Sequence, residues 1–291
     1  MTEADRAARG GLLTAMRPRQ WSKNLLLYAG ILFAAELDDP QRWLQATAAF
    51  VAYCLASSAA YIFNDVRDAP HDRLHPLKRN RPIASGAVRP NRALNVAGIL
   101  AALAFAIVAP LGLGSLAYMA GFLGLQVAYS LGLKNIPLID VMAISGLFVI
   151  RAAAGAEAVD VPISPWLLIC TALLALFLAL AKRRGELAST GVSGPGRPVL
   201  SGYSFALVDQ LVSIVAACTI VAYALYTFEA REGSAMMATI PFVVYGLFRY
   251  IQLMHREDLG EEPENVLLTD VPILATIAAW AVTSAVILAL V

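Results

Sequence analysis

Long apolar stretches recur along the chain, and several approach the roughly 20 residues that an α-helix needs to cross a lipid bilayer. Of the 291 residues, 59% are hydrophobic and only 15% are charged, a composition far from that of an ordinary soluble domain. The sequence therefore predicts an all-α, polytopic membrane protein. Its expected surrounding is the lipid bilayer, and no nucleic-acid partner is expected.

Nine apolar stretches are predicted to span the bilayer within one transmembrane domain covering residues 1–291. Residues 1–23 form a polar and basic segment before the first span, and residues 64–92 form a long polar connection that carries most of the candidate chemistry. The predicted spans are 24–36, 43–63, 93–112, 115–131, 137–156, 165–181, 207–228, 236–254 and 271–290.

The distribution of lysine and arginine predicts the orientation of these spans. With a cytoplasmic N-terminus, alternation of nine spans puts 19 of the 22 basic residues inside, with Arg249 counted at the inner end of its span, leaves Arg42 and Arg231 outside, and keeps Arg151 within a span. Cytoplasmic loops of membrane proteins carry the excess of positive charge. We therefore expect the N-terminus and the functional face to be cytoplasmic and the C-terminus to lie outside.

An acidic cluster lies where the second apolar stretch meets a basic segment. Asp65, Asp68 and Asp72 recur at i, i+3 and i+7, so on a helix they share one face. Like charges at this spacing repel, and a divalent cation offsets that cost. Carboxylate oxygens suit Mg²⁺, which often also binds substrate phosphates, and Asn64 adds a neutral oxygen. The alternative is a solvated acidic helix end, but ionisable residues beside an apolar run are usually functional.

Basic residues close to the membrane surface accompany the acidic cluster. Arginine offers forked donors for phosphate and lysine a compact charge, which together indicate chemistry on a diphosphate. Attraction to anionic lipid under the positive-inside rule explains any single one of them equally well. These residues are Arg17, Arg19, Lys23, Lys78, Arg79, Arg81, Lys182, Arg183 and Arg184.

Two further polar features interrupt apolar stretches. Tyr129 and Lys134 lie at the predicted cytoplasmic end of the fourth span, where Lys134 could bind a lipid-borne phosphate and Tyr129 could equally be an interfacial belt residue. Asp140 and Arg151 lie within the fifth span, about three turns apart and on nearly the same side. Each needs a partner or a polar cavity at this depth, so we expect this face to line the active-site cavity.

The order Asn64-Asp65-x-x-Asp68-x-x-x-Asp72 resembles the signature of the UbiA superfamily of intramembrane prenyltransferases. The segment from Tyr129 to Lys134 also lies where that family keeps a Tyr- and Lys-containing motif. The resemblance covers essentially the whole chain. It implies nine helices around a central cavity that opens to the cytoplasm, with an Mg²⁺ cofactor at the acidic motif.

One segment departs from the pattern of typical members, which carry a second Asp-rich motif at the end of span six. Residues 181–187 instead contain Lys182, Arg183, Arg184 and a single carboxylate, Glu186. This departure argues against ionisation of an allylic diphosphate by two metal clusters.

Segments 17–24, 72–79, 81–86 and 182–187 resemble the branch of the superfamily that moves 5-phosphoribose from 5-phosphoribosyl diphosphate to a polyprenyl phosphate. In actinobacteria that branch uses decaprenyl phosphate and feeds cell-wall arabinan synthesis. The resemblance implies these two substrates and a place in the bacterial inner membrane. Whether the protein is a homo-oligomer stays open.

Under this interpretation, one set of residues acts on the donor diphosphate through Mg²⁺ and a second set binds substrate. The catalytic residues are Asp65, Asp68 and Asp72, and Asn64 joins them as a metal ligand. The substrate-binding residues are Lys23, Asn24, Lys78, Arg79, Arg81, Tyr129, Lys134, Asp140, Lys182 and Arg183, with Asp140 assigned to the ribose hydroxyls.

Two alternatives remain at the level of sequence. The first is a prenyltransferase that joins an isoprenyl diphosphate to an aromatic acceptor. The second is a transporter or channel for an anionic solute, which would distribute charged residues through the spans toward both membrane faces. The few charges within the spans and the one-sided cluster favour an enzyme.

Overall fold

The computed structural model describes residues 3–33, 38–74, 78–190, 198–229, 234–256, 266 and 269–290. All regular structure in these residues is helical, which confirms the predicted all-α class. The α-helices are α1 Glu3–Met16, α2 Ala29–Phe33, α3 Pro40–Asp72, α4 Pro90–Val108, α5 Leu113–Leu131, α6 Ile139–Ala158, α7 Pro165–Thr190, α8 Phe205–Glu229, α9 Ile240–Arg256 and α10 Val271–Leu290. Segments of 3-10 helix cover Pro18–Tyr28, Lys78–Asn80, Ala109–Leu111, Leu133–Asn135, Pro198–Gly202 and Ser234–Thr239.

Six helical segments among the described residues are long and apolar enough to cross a membrane. They are Pro40–Asp72, Pro90–Leu111, Ile139–Ala158, Pro165–Ser189, Phe205–Glu229 and Ala235–Arg256, and each coincides with a predicted span. Helices α5 and α10 coincide with two more predicted spans but fall outside this set. The first predicted span, 24–36, differs: its described part is the end of a 3-10 segment followed by the five residues of α2, and residues 34–37 lie outside the described residues.

Helix α3 explains how the acidic motif is presented. Asp39 caps its N-terminus by accepting a hydrogen bond from the backbone N–H of Gln41, and Pro40 occupies the first turn, where no N–H is needed. Its 33 residues give a length of about 50 Å, more than the roughly 30 Å of bilayer hydrocarbon. The last turns, which carry the acidic motif, can therefore reach the polar region. Residues 64–72 of the predicted connection are thus helical.

The chain forms two compact units, Met1–Lys134 with Gly146–Ser164, and Asn135–Ser145 with Pro165–Val291. In the first unit, α3 packs against α1, α4, α5 and the 3-10 segment Pro18–Tyr28. Its core includes Tyr53, Phe122 and Met119, all with at most 1% of their surface exposed. The second unit packs α7 against α8, and α9 against α8 and α10, around Phe177 and Tyr250, whose rings meet edge to face.

Two glycines allow close backbone contact within the first unit. A methyl group on Gly155 of α6 would lie 2.1 Å from the carbonyl oxygen of Leu27, and one on Gly30 would lie 2.7 Å from Cα of Ala156. Any larger residue would therefore force the backbones apart. This close approach brings the 3-10 segment that carries Asn24 against the part of α6 that carries Arg151.

Candidate active site

The acidic motif occupies the C-terminal turns of α3, in the first unit. Asp65 and Asp72 are buried, with 2% and 5% of their surface exposed, whereas Asp68 retains more of its side-chain surface, 29%. The helical spacing predicted from the sequence is thus confirmed, and it puts the three carboxylates along one face of α3. A buried carboxylate needs a compensating charge, and the structure provides one for each.

Two arginines neutralise the buried carboxylates. Nη1 of Arg81 donates to Oδ2 of Asp72 at 2.7 Å and to Oδ1 of Asp65 at 3.2 Å, while Nη2 of Arg17 donates to the same Asp65 oxygen at 2.6 Å. Arg17 has a left-handed backbone (φ 53°) at the junction of α1 and the 3-10 segment, a conformation that costs about 1 kcal/mol or more outside glycine. Its guanidinium also lies 5.0 Å from the ring centre of Tyr61. The sequence placed Arg17 among the basic residues near the membrane surface but not among the substrate-binding residues.

Lys134 completes the cluster from the short 3-10 turn after α5. Its Nζ lies 2.5 Å from Oδ1 of Asp68 and 3.1 Å from Oδ1 of Asn64, and the Asn64 amide in turn donates to the other Asp68 oxygen at 2.9 Å. The sequence treated Lys134 as part of a separate lipid-phosphate site. The structure brings it onto the acidic motif.

The four predicted metal ligands therefore form two pairs, and the two members of each pair share one cationic nitrogen, while Asp65 also accepts from Arg17. Asp65 and Asp72 converge on Arg81, and Asn64 and Asp68 converge on Lys134. No group of three or more His, Cys, Asp or Glu side chains that could hold a metal is present in the described part of the chain, so a single four-ligand site is not assembled here. The reason is geometric: seven residues of helix rise roughly 10 Å, and each carboxylate turns to its nearest cation. A pair of oxygens with substrate phosphates still fits Mg²⁺.

Asp140 and Arg183 belong to a different cluster, in the second unit. Nε of Arg183 donates to Oδ2 of Asp140 at 2.7 Å, and both side chains are fully buried. The Tyr203 hydroxyl donates to Oδ1 of Asp140 at 2.6 Å and accepts the backbone N–H of Leu138 at 2.8 Å. Glu186, one helical turn after Arg183, also accepts from its guanidinium.

This burial changes the interpretation of two predicted substrate-binding residues. Both oxygens of Asp140 already accept hydrogen bonds from the protein, and neither Asp140 nor Arg183 has exposed surface. The geometry therefore favours a structural role for the pair over contact with ribose or phosphate. Tyr203 was not anticipated, because a tyrosine after a Gly- and Pro-containing loop carries no periodic signal and lies 63 positions from Asp140. Burial raises the pKa of Tyr203, and its hydrogen bond to Asp140 adds to that rise.

Asn24 is fully buried in the first unit and binds Arg151. Its Oδ1 accepts from Nε of Arg151 at 2.7 Å and from the hydroxyl of Ser57 at 3.4 Å, and its amide donates to Sγ of Cys54 at 3.4 Å. Arg151 was expected to need a partner within the membrane, and Asn24 is one. The pairing itself could not be read from the sequence, because 127 positions separate the two residues.

The remaining predicted residues have a more open setting. Lys23 on the 3-10 segment, Lys78 in the turn Lys78–Asn80, Tyr129 on α5 and Lys182 on α7 are half-buried, and Arg79 is exposed. Residues 75–77, which belong to segment 72–79 of the sequence analysis, lie outside the described residues. Lys23, Lys78, Arg79 and Tyr129 share the first unit with the acidic motif, and Lys182 belongs to the second.

Comparison with known proteins identifies the family. Residues 25–269 match the UbiA prenyltransferase family. The chain is 36% identical over 287 residues to the decaprenyl-phosphate phosphoribosyltransferase of Mycolicibacterium smegmatis, covering 93% of this chain and 90% of that protein. It is 31% identical to the protein of the same name from Corynebacterium glutamicum, over 93% of this chain and 84% of the relative.

The fold leads to the same family. The structure of a UbiA homolog from Archaeoglobus fulgidus bound to DMAPP and Mg²⁺ superposes with a TM-score of 0.74 at 18% identity, covering 96% of this chain and 99% of that one. The matched family region, the full-length relatives and the shared helical fold agree, and the chain is a multi-pass membrane protein that belongs to the UbiA prenyltransferase family.

Proposed function

We propose that the protein transfers 5-phosphoribose from 5-phosphoribosyl diphosphate to a polyprenyl phosphate, decaprenyl phosphate among the candidates, and releases diphosphate. The product would serve as a precursor for cell-wall arabinan. Support comes from relatives that bear the phosphoribosyltransferase name over nine-tenths of the chain.

The observation that carries the proposal is the contrast between the ends of two helices. Helix α3 ends in the carboxylates Asp65, Asp68 and Asp72, whereas α7 carries Lys182, Arg183 and Arg184 near its end. One acidic cluster, with the cations Arg17, Arg81 and Lys134 beside it, suits a soluble donor that carries a diphosphate and a separate 5-phosphate. An allylic diphosphate served by two metal clusters would call for carboxylates on both helices.

Mg²⁺ is the proposed cofactor, supported by the UbiA homolog structure that contains it and by the oxygen pairs at the end of α3. Asp65 with Asp72, and Asp68 with Asn64, would hold it. When bound, the ion would neutralise the donor diphosphate and stabilise it as a leaving group.

The chain's own cations would complete the electrostatics of the transfer. Arg81 and Lys134 lie against carboxylates and can turn toward phosphate oxygens, with Lys78 and Arg79 of the same unit as further ligands for the donor. Preorganised positive charge of this kind stabilises a departing diphosphate and orients the ribose for attack. The attacking phosphate is already ionised at neutral pH, so the reaction needs no strong general base.

The acceptor would lie on the side of Lys23 and Tyr129. Lys23 belongs to the 3-10 segment that replaces a regular first helix, and Tyr129 lies near the C-terminal end of α5. Lys134 would bind the acceptor phosphate as well. Its contacts with Asp68 and Asn64, which would hold the donor through Mg²⁺, are compatible with a position between the two substrates. A single cation serving both phosphates would also bring nucleophile and leaving group together.

We further propose that the N-terminus and this site face the cytoplasm and that the C-terminus lies outside. The one-sided distribution of lysine and arginine between the predicted spans supports this orientation. Cysteines introduced singly at Arg79 and Arg231, on opposite sides under this proposal, should react with a membrane-impermeant maleimide from opposite sides of intact cells.

The test of the reaction uses the full-length protein in lipid nanodiscs with Mg²⁺, labelled 5-phosphoribosyl diphosphate and polyprenyl phosphates of several chain lengths. Mass spectrometry should find a phosphoribosylated lipid that is absent with Asp68→Ala. Failure to form this product with any chain length would refute the proposal.

The same assay tests the alternative function, the transfer of an isoprenyl group to an aromatic acceptor. Dimethylallyl or longer isoprenyl diphosphates with aromatic acceptors replace the sugar donor and the lipid phosphate. Prenylated product in that arm, without ribosylated lipid, would favour the alternative. Flux of an anionic solute into liposomes without chemical turnover would instead favour a transporter.

A further inference from the structure

Arg151 is a buried cation whose charge no carboxylate balances among the residues that the structure describes. Only 3% of its surface is exposed, and it lies in the middle of α6. Arginine keeps its proton in proteins, and an ionised group away from water costs several kcal/mol when it is not compensated. Such a residue within a membrane protein usually marks a functional path or site.

The protein satisfies only part of the hydrogen-bonding capacity of this guanidinium. Nε donates to Asn24 at 2.7 Å, and Nη1 donates to the carbonyl oxygen of Leu147 at 3.1 Å. Of its five N–H groups, three find no hydrogen-bond acceptor within the described ranges. The rings of Phe122 and Phe148 lie 4.7 and 5.3 Å from Cζ and supply a cation–π contribution but no acceptor.

A second unpartnered polar group lies in the same surroundings. Tyr53 is 1% exposed, and its hydroxyl is buried without a hydrogen-bond partner in the described structure. Its ring packs against Phe122 with centroids 5.0 Å apart, so Tyr53 and Arg151 share that aromatic neighbour. Buried hydroxyls almost always have a partner, and one acceptor could serve both this hydroxyl and the unused N–H groups of Arg151, because both side chains pack on the Phe122 ring.

Asn24 holds the guanidinium in a fixed orientation. All of its side-chain contacts are internal: the oxygen accepts from Arg151 and Ser57, and the amide donates to Cys54. Because Nε already donates to Asn24, the N–H groups of Arg151 that remain for a ligand are on its two Nη atoms. This is the edge that binds phosphate oxygens in a forked geometry.

We propose that Arg151 and Tyr53 form a buried subsite for a phosphate monoester, with Asn24 as its positioning residue. A dianionic phosphate supplies both the missing charge and the missing acceptors, and its attraction to a guanidinium is strong where water is excluded. The source of that phosphate rests on the proposed function. Both substrates named there carry a phosphate monoester, the sugar donor at its 5-position and the lipid acceptor at its head.

The competing explanation is purely structural: Arg151 links α6 to the 3-10 segment, and the aromatic rings suffice to compensate its charge. Tyr53→Phe separates the two explanations. Removing a buried hydroxyl without a partner should leave stability unchanged or raise it, and under the structural explanation it leaves ligand binding unchanged. Under the proposal it removes a donor to the phosphate.

The experiment measures equilibrium binding by calorimetry to the full-length protein in nanodiscs. The two probes are ribose 5-phosphate, which carries only the soluble monoester, and a short polyprenyl phosphate, which carries only the lipid one. The variants are Tyr53→Phe, Arg151→Gln and Arg151→Lys. Arg249→Gln is the control, since it removes one arginine charge from α9 in the other unit.

We expect Arg151→Gln to weaken one of the two probes by about tenfold or more and Tyr53→Phe to weaken the same probe by about threefold to tenfold. The other probe should stay within about twofold. The probe for which the variants have lower affinity identifies the source of the phosphate. Arg151→Lys should retain part of the affinity, because it keeps the charge and loses the fork.

Three outcomes overturn the proposal: wild-type protein that binds neither probe, Tyr53→Phe that binds both as the wild type does, or an equal loss for both probes. If Arg151→Gln does not fold, Tyr53→Phe decides alone. Failure of the proposed function remains distinguishable, because it shows as absence of ribosylated lipid from wild-type protein whatever the probes do.

Discussion

Lys134 and Asp68 form an ion pair across 66 positions of sequence, with Nζ 2.5 Å from Oδ1. The pair joins the acidic motif at the end of α3 to the Tyr- and Lys-containing segment at the end of α5. A lysine in this place can neutralise the carboxylate and then exchange it for a substrate phosphate, since its ammonium group has three donors on a flexible stem.

Replacing Lys134 with methionine should reduce activity far more than stability. Asp68 keeps 29% of its side chain exposed, so water can solvate it, and the loss of such a pair costs about 1 kcal/mol or less. Loss of a positioned cation at the reacting phosphates should lower kcat/KM about 100-fold or more. Steady-state kinetics and denaturant unfolding of the purified variant measure the two effects.

Arg249→Met is the matched control, because Arg249 forms a comparable half-exposed pair with Asp270 on another part of the chain. It should show a similar small change in stability with activity within about twofold of the wild type. Equal losses of activity in the two variants would contradict a specific role for Lys134.

Replacing Arg81 with glutamine should make stability depend on Mg²⁺. Asp65 and Asp72 have side-chain exposures of 3% and 7% and share Arg81, so the variant leaves two buried carboxylates close together. We expect a loss of about 2 kcal/mol, less than for a fully buried pair because Arg17 still neutralises Asp65. Mg²⁺ should restore more stability to the variant than to the wild type, since it no longer competes with Arg81.

Thermal unfolding in detergent with increasing MgCl₂ gives the comparison. Arg79→Gln, an exposed neighbour with the same change in charge, should respond to Mg²⁺ as the wild type does. An identical Mg²⁺ response in Arg81→Gln and the wild type would show that the metal does not bind the oxygens of Asp65 and Asp72.

Replacing Tyr203 with phenylalanine should destabilise the protein without raising KM for the donor. The change removes hydrogen bonds to Asp140 and from the Leu138 N–H and leaves buried groups unpaired, at a cost of about 1–3 kcal/mol. Asp140→Asn should cost more, about 3 kcal/mol, because it removes the fully buried carboxylate of the pair and leaves Glu186 alone to balance the Arg183 charge. Urea unfolding and donor kinetics provide the two readouts; a higher KM at unchanged stability would argue for contact with substrate.

The same tyrosine should affect stability at alkaline pH. Burial raises the pKa of Tyr203 above the unfolded value of about 10, so at higher pH the unfolded chain releases a proton that the folded protein retains. The stabilising contribution is therefore complete below about pH 10 and is lost as pH rises toward the folded-state pKa. Tyr203→Phe should make the unfolding free energy less steep in this range, and an unchanged slope would contradict the assignment.

The sequence by itself determined the helical membrane class, the positions of six spans and the spacing of the acidic motif. These features depend on local pattern: the length of apolar runs, and the rule that residues at i, i+3 and i+7 share a helix face. The order of Asn64, Asp65, Asp68 and Asp72 sufficed to suggest the UbiA family, because it forms a continuous segment on one helix.

Only the tertiary structure decided how the charged residues are paired. Arg17, Arg81 and Lys134 form ion pairs with the acidic motif. Asp140 and Arg183 form a buried ion pair, which Tyr203 joins by a hydrogen bond. Arg151 donates a hydrogen bond to Asn24. Such pairings join distant parts of the chain, and they depend on which backbones can approach closely, as Gly155 and Leu27 do. A buried charge takes whichever partner the packing brings near, and no local pattern carries that information.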